Sequence, residues 1–143
     1  MFSQTAEYAL RAMVWLAEHQ SDEPVGNVAI AEATQVPQTY LAKVMQSLVK
    51  ADLVTSRRGV GGGFVLNRSA DEISVLDVVN SVDPIQRFDD CPLKLAGHRR
   101  RRCSMHAQMN SAIAEVEKTL GASTIQTLVN DKSRPKPMMP SKK

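Results

Sequence analysis

Apolar residues recur at helical spacing in three segments of the N-terminal part of the chain. Residues 3–19 carry one apolar stripe with charged side chains beside it, which predicts a first helix. A shorter apolar group predicts a second helix that ends near Thr34. Pro37 suits the first turn of a third helix, because its missing N–H needs no partner there. After Pro37, four apolar residues recur at helical spacing: Leu41, Val44, Met45 and Leu48.

The polar residues of the third predicted helix lie together on one face. Lys43, Gln46 and Lys50 follow Thr39 at offsets of four, seven and eleven residues. This is the spacing of residues that share one side of a helix. Considered alone, such a strip is explained equally well as an ordinary solvated surface, so its meaning depends on the segment that follows.

Two short β-prone runs come next, at residues 53–55 and 64–66, and the segment between them contains four glycines. This arrangement predicts a hairpin with Arg57 and Arg58 leading into its turn, and a flexible glycine loop is the alternative. One longer helix, two short helices and a basic hairpin are, in that order, the elements of a winged helix-turn-helix. In that architecture the polar face enters the DNA major groove, while the hairpin reaches phosphates or the minor groove.

Further helical segments follow the hairpin. Ser74 is a capping residue with Asp77 three positions later, so we expect a short helix at residues 74–83. Intervals of four, three and four residues predict a longer helix with an apolar seam, formed by Met109, Ile113, Val116 and Leu120. We expect Gly121 to end this helix. A second subunit is the expected partner of the seam, and a helix folded back on its own domain is the alternative.

Together these elements predict a mainly α-helical protein with a small β-hairpin wing. Of the 143 residues 43% are hydrophobic, which is enough for one compact domain, or for one small domain with an appended helix. The sequence has neither an apolar run long enough to cross a membrane nor the pattern of a signal peptide, so we expect a cytoplasmic protein.

The net charge of +3 is modest, but the basic residues cluster at residues 57–58, 99–102 and 132–143. Such clustering permits an anionic partner. The four arginines at 99–102 fit an ordinary solvated loop, with direct DNA contact as the alternative. Catalysis is not indicated: no nucleophile stands with a base, and the GVGGG run opens no helix, as a dinucleotide site requires.

Both cysteines of the chain and two of its three histidines lie in residues 91–106. In a reducing compartment two cysteines favour free thiols, metal ligands or a reversible redox role over a permanent disulfide.

Three stretches resemble the Rrf2 family of bacterial transcription regulators: SQTAEYALRAM, TYLAKVMQSLVKADLV and RRGVGGGFVL. The resemblance covers about residues 1–131, and its most specific part is the glycine-rich wing directly after the recognition-type helix. It implies a homodimer with an N-terminal winged-helix domain and a long dimerisation helix. It also implies binding to a palindromic operator in double-stranded DNA, with family precedent for repression.

The resemblance also implies a cofactor, because several members of the family carry an iron–sulfur cluster in the loop before the long helix. Their pattern is three cysteines with a variable fourth ligand. That ligand is a histidine three residues after the last cysteine, or an acidic residue from the first helix of the other subunit. Cys91 and Cys103 match the outer cysteines, while His106 and Glu7 match the two forms of the fourth ligand.

This chain departs from the pattern at the middle cysteine, where it has Gly97, with His98 beside it. The remaining candidates for a four-ligand set are Cys91, Cys103, His106 and one of His98 or Glu7. A mixture of thiolate and imidazole favours a two-iron cluster over a four-iron one. A zinc ion accepts the same donors. A cofactor-free reactive thiol or thiol pair, and a loop without chemistry, are the other interpretations.

The resemblance assigns DNA contacts as well. The start of the recognition helix supplies the candidates for groove contacts: Gln38, Thr39, Tyr40 and Lys43. Gln46 and Lys50 are expected at backbone phosphates. Arg57 and Arg58 of the wing are expected there too, with Arg58 the foremost candidate. Ala42 stands where the family's cluster regulator has an acidic residue that tunes site choice, so the operator sequence does not carry over.

The expected organisation is therefore a DNA-binding domain at residues 1–83 and a sensor loop at 84–103. A dimerisation helix with a short terminal helix follows at 104–131, and a disordered tail at 132–143. The alternatives are a regulator without cofactor and a winged-helix interaction module that does not bind DNA.

Overall fold

Residues 2–89, 93–98 and 102–137 are described by the computed structural model, and they form six α-helices, one 3₁₀ helix and one two-stranded hairpin. In chain order the elements are α1 (Gln4–Glu18), α2 (Asn27–Thr34), α3 (Gln38–Lys50), β1 (Val54–Arg57), β2 (Gly63–Leu66), α4 (Val75–Val82), the 3₁₀ helix Ala96–His98, α5 (Ser104–Ala122) and α6 (Ile125–Asn130). The predicted fold class is confirmed. Among the described residues, none of the helices has both the length and the apolar character needed to cross a membrane.

Helix α1 lies at the centre of the core. Its buried side chains include four alanines, which let neighbouring elements approach closely: Ala6, Ala9, Ala12, Met13, Val14, Leu16 and Ala17. The helix packs against α2, α3, α4, α6 and β2. At its start the Ser3 hydroxyl accepts a hydrogen bond of 3.2 Å from the Ala6 N–H. The predicted helix at residues 3–19 is confirmed to within one residue at each end.

The connection between α2 and α3 is tight, as predicted. Helix α2 ends where Gln35 adopts a left-handed conformation with φ of 56°, and Val36 then enters the core. Pro37 is the residue before α3, and its carbonyl accepts the Leu41 N–H at 2.9 Å. The expected position of Pro37 inside the first turn is wrong by one residue, because its ψ of 134° is extended rather than helical.

The glycine-rich segment forms the predicted hairpin. Strands β1 and β2 are antiparallel, with Val54 opposite Leu66 and Arg57 opposite Gly63. The first strand is therefore longer than the predicted run at residues 53–55. As a result, Arg57 belongs to the strand and not to the turn.

Backbone hydrogen bonds attach the hairpin to the segment that follows α1. Val25 and Phe64 exchange two of them, of 3.0 and 2.8 Å. Gly63 makes this approach possible, because a Cβ at this position would lie 2.3 Å from the Val25 carbonyl oxygen. The wing is thus held at its base by a third, short strand-like contact.

The C-terminal helices return to the same core. Helix α4 begins with the predicted capping box, in which Ser74 and Asp77 cap each other's backbone N–H groups at 3.0 Å. Helix α5 runs through Gly121, so the expectation that this glycine ends the helix is wrong. Beyond α5, the Ile125 N–H donates to the Ile73 carbonyl at 2.9 Å, and the Ile125 side chain is fully buried.

The chain after α6 is described as far as residue 137 and has neither helix nor strand there. Lys136 forms an ion pair with Glu18, whose side chain is only 7% exposed. Residues 138–143, the rest of the tail expected to be disordered, lie outside the described residues.

The attachment of the wing predicts the effect of one glycine substitution. We expect Gly63→Ala to lower the free energy of unfolding by about 2–4 kcal/mol, because the added Cβ breaks the backbone pairing of Val25 with Phe64. Gly61→Ala is the matched control, since a Cβ there meets open space and only the positive φ of 74° opposes it. That change costs about 1 kcal/mol. Urea unfolding measures both, and equal losses would contradict the close-approach argument.

Candidate functional site

The outward face of α3 carries the polar side chains that the helical spacing predicts. All of them are exposed: Gln38, Thr39, Tyr40, Lys43, Gln46 and Lys50. The opposite face is apolar and 0–1% exposed, and it comprises Leu41, Val44, Met45 and Leu48. Since the core holds the apolar face, the polar face is presented to solvent as one continuous surface.

The two arginines of the wing have different surroundings. The Arg57 guanidinium donates a hydrogen bond of 3.1 Å from Nη1 to the Asp22 carbonyl, so it is partly engaged by the protein. Arg58 is exposed and follows the last paired residue of β1. Of the two, Arg58 is therefore the arginine whose charge is more available to a partner.

An aromatic contact links α1 to the exposed face of α3, and the sequence patterns did not reveal it. The ring centroids of Tyr8 and Tyr40 are 6.1 Å apart with an interplanar angle of 65°, which is an edge-to-face arrangement. The Arg11 guanidinium carbon lies 5.9 Å from the Tyr8 centroid. The only local signal was the separation of Tyr8 from Arg11 by three residues, one helical turn.

A second group of functional side chains lies at the start of α5. Cys103 is the residue before the helix, and its Sγ is 3.5 Å from Nδ1 of His106 in the first turn. The imidazole is 7% exposed and stacks on the ring of Phe88 at a centroid distance of 4.9 Å. Cys103 and His106, both predicted ligands, are thus brought together by the helix.

Residues 85–89, which we call the strap, are bound to α5 by hydrogen bonds and an ion pair. The Phe88 N–H donates to the Asn110 side-chain oxygen at 2.8 Å, and the Asn110 amide donates back to the Phe88 carbonyl at 2.8 Å. Arg102 also donates to the Phe88 carbonyl, at 2.9 Å. Asn110 is 8% exposed, so its amide is a buried polar group satisfied by the strap backbone.

A bidentate ion pair adds to the attachment of the strap. Arg87 donates from Nε and Nη2 to the two carboxylate oxygens of Glu117, at 3.0 and 3.1 Å. These hydrogen bonds lower the pKa of the Glu117 carboxyl, and hydrogen bonding to that carboxylate raises the pKa of Arg87. Arg87 is exposed and Glu117 is only half-buried, so the main effect of the pair is to fix the direction of the strap rather than to add much stability.

The remaining predicted ligands are Cys91, His98 and Glu7. Cys91 lies outside the described residues, and so do Arg99, Arg100 and Arg101. His98 belongs to the 3₁₀ helix before α5, and Glu7 is exposed on α1. Within the described part of the chain, no three His, Cys, Asp or Glu side chains lie close enough to hold one metal ion.

The separation of Cys103 and His106 fits a shared metal ion. In a tetrahedral site with Zn–S of about 2.3 Å and Zn–N of about 2.0–2.1 Å, the two ligand atoms are roughly 3.6 Å apart. The observed distance is 3.5 Å. A hydrogen bond between the thiol and the imidazole explains the same distance. The pair therefore fits two of the four ligands of a metal site, and it fits equally a cofactor-free thiol with a neighbouring imidazole.

Comparisons with known proteins agree with this architecture. The family model Rrf2, described as "Iron-dependent Transcriptional regulator", matches residues 2–131. The HTH-type transcriptional regulator IscR of Pectobacterium carotovorum is 33% identical over 125 residues, which cover 87% of this chain and 76% of that protein. IscR of Xenorhabdus nematophila is 32% identical over 124 residues, which again cover 87% of this chain and 76% of that protein.

Two solved structures are similar over most of the chain. The structure of T. potens IscR has a TM-score of 0.71 and 27% identity, covering 92% of this chain and 87% of that one. The structure of CymR, the global cysteine regulator of B. subtilis, has a TM-score of 0.69 and 25% identity, with coverage of 90% and 95%.

The polar helix and the basic hairpin on one helical core form a winged helix-turn-helix, and the matching family model and relatives are transcription regulators rather than enzymes. Since the family model spans almost the whole described chain, the protein belongs to the Rrf2 family.

The attachment of the strap to α5 predicts the effect of removing one amide. We expect Asn110→Ala to lower the free energy of unfolding by about 1–3 kcal/mol, because the Phe88 N–H and carbonyl each lose a hydrogen-bond partner. Hydrogen exchange at the Phe88 amide should accelerate as well. Ser111→Ala, on the neighbouring exposed position, is the control and should change neither measurement. An unchanged exchange rate in Asn110→Ala would show that the strap is held by other contacts.

Proposed function

We propose that this chain is a homodimeric, sequence-specific repressor that acts in the cytoplasm and binds a palindromic operator in double-stranded DNA. In this proposal the affinity for the operator responds to an iron–sulfur cluster, or to the thiol state, of residues 91–106. Membership of the Rrf2 family supports the regulator class, and the chain's own residues support the finer points below.

The observation that carries the DNA-binding part is the exposed polar face of α3, held on the same core as the basic wing. Gln38 can pair with the edge of adenine, and Lys43 with guanine or a phosphate. Gln46, Lys50 and Arg58 supply polar and positive groups for phosphates, which set register and affinity. Arg57 adds charge while it remains attached to the Asp22 carbonyl.

The exposed apolar positions of α5 support the homodimer. Met109 of the predicted seam is 42% exposed, and Met105, one turn before it, is 58% exposed. Leu120, at the other end of the seam, packs against the cluster of Ala6, Val75 and Val79. A second copy of α5 would cover the exposed half. The two α3 helices of such a dimer would meet half-sites about one helical turn of DNA apart, or a multiple of it.

The ligand site proposed for the cofactor combines Cys103 and His106 with Cys91 and either His98 or Glu7. Glu7 is exposed on α1 and is therefore accessible to a second subunit. The mixed donor set favours a two-iron cluster over a four-iron one, with zinc as the other metal it accepts. When bound, an iron–sulfur cluster supplies a redox-sensitive centre. His106 transmits the position of the ligand loop to the strap, because its ring stacks on Phe88.

The strap also explains how the ligand loop can bias DNA binding. It follows α4, which packs against α1 and α3, and it is bound to α5 through Asn110 and Glu117. A change in the ligand loop thus alters the placement of α5 relative to the winged domain. In a dimer this placement sets the distance between the two recognition helices, and with it the preference for operator-bound or free protein.

A second candidate is a regulator that senses through a thiol without a cofactor. The observation in its favour is that Sγ of Cys103 has an imidazole nitrogen at 3.5 Å, whereas no third ligand is close within the described residues. A winged-helix module that binds only proteins is the remaining alternative, and it would show no salt-dependent affinity for DNA.

The DNA-binding part is tested with a duplex that the protein selects from a random-sequence pool. We expect Arg58→Ala to weaken binding several-fold and to reduce the slope of log affinity against log salt by about 1, because one phosphate contact is lost. Fluorescence anisotropy at several salt concentrations measures both values. Lys118→Ala, an exposed lysine of α5, should leave them unchanged. Failure of the wild type to select or bind any duplex would refute the DNA-binding proposal.

The ligand site is tested by metal analysis of protein purified without oxygen. We expect wild-type protein to contain iron and to absorb visible light, and Cys103→Ala and His106→Ala to lose both. Ser104→Ala is the control between them in the chain and should keep both. Colourless protein with stoichiometric zinc would show that the site binds zinc and not an iron–sulfur cluster. Colourless, metal-free protein whose operator affinity changes on thiol oxidation would favour the thiol alternative.

A further inference from the structure

Tyr40 is unusual among the groove-facing candidates because it is a large aromatic side chain that is 53% exposed in the first turn of α3. A side chain so exposed normally samples several rotamers. Ordering it on a DNA surface would then reduce the affinity. Restriction of Tyr40 before binding would remove that loss.

Tyr8 of α1 supplies such a restriction. Its ring is partly buried and packs against the main hydrophobic core, so its own position is set by the body of the protein. The Tyr40 ring meets it edge to face at 6.1 Å and 65°. The contact therefore ties a groove-facing side chain to the central helix of the fold.

Arg11, one turn after Tyr8 on α1, also contacts the Tyr8 ring. Its guanidinium carbon is 5.9 Å from the Tyr8 centroid, within the range of a cation–π interaction. The positive charge makes the same corner of α1 attractive to a phosphate, next to the start of the recognition helix. Three residues from two helices thus form one connected group at the edge of the polar face.

We infer that Tyr8 is a positioning residue for sequence recognition. It holds Tyr40 in the orientation that the DNA groove requires. The inference rests on the proposed DNA-binding function and adds to it a residue outside α3 and the wing. Its effect falls on affinity for a specific sequence, because Tyr40 faces bases, and less on binding to arbitrary DNA.

A double-mutant cycle tests this inference, using the selected duplex and a mixed-sequence duplex as probes. We expect Tyr8→Leu to weaken binding to the selected duplex by about three- to tenfold and Tyr8→Phe, which keeps the ring, by less than about twofold. In a Tyr40→Ala background, Tyr8→Leu should have less than about twofold effect, since the contact is already absent. Affinity for the mixed-sequence duplex should stay within about twofold for every Tyr8 variant.

The outcomes separate this inference from the proposed function. Equal weakening by Tyr8→Leu with and without Tyr40, or no weakening in either case, would overturn the role of Tyr8 while wild-type binding upholds the regulator. Absence of wild-type binding would instead refute the regulator. Thermal unfolding accompanies each variant, and if Tyr8→Leu does not fold, Tyr8→Met repeats the cycle with a flexible side chain of similar reach. Rescue by Tyr8→Phe distinguishes ring positioning from a loss of core packing.

Discussion

The burial of α1 on nearly all of its sides is the constraint on which the rest of the structure depends. Ala9, Ala12, Met13 and Val14 are completely buried, and they can be so only when other elements cover the helix from several directions. Helices α2, α3, α4 and α6 and strand β2 do this. Truncating one large core side chain such as Met13 costs about 2–5 kcal/mol, so the arrangement around α1 has little freedom to change. The elements that cover α1 and carry the exposed side chains are therefore held in fixed positions.

The surface proposed to bind DNA is a consequence of that packing. The apolar face of α3 has to meet α1, which leaves its polar face outside. The wing is fixed separately, because Val25 and Phe64 pair through the backbone and only a glycine at position 63 permits the approach. Recognition helix and wing are therefore positioned by one core and one backbone contact rather than by interactions with each other's functional side chains.

The start of α5 is linked to the rest of the chain in a different way. The strap is held by a buried amide, an aromatic stack and an ion pair, and all three contacts join residues at least 18 positions apart in the chain. Hydrogen bonds, ion pairs and aromatic stacks of this kind depend on the relative orientation of the two groups. His106 contacts Phe88 and is not part of the apolar core around α1, so a shift of its ring acts first on the strap.

The sequence by itself determined the helices, the hairpin and the polar face of α3, because their signals are local: apolar periodicity, the Ser74–Asp77 cap and the run of glycines. The exposed DNA-contact candidates and the proximity of Cys103 to His106 follow from helical spacing in the same way. Only the tertiary structure decided that Tyr8 meets Tyr40, that Phe88 stacks on His106, and that α6 enters the core around α1. Those partners are distant in the chain, and which distant surfaces meet is set by the packing of the whole core rather than by any local pattern.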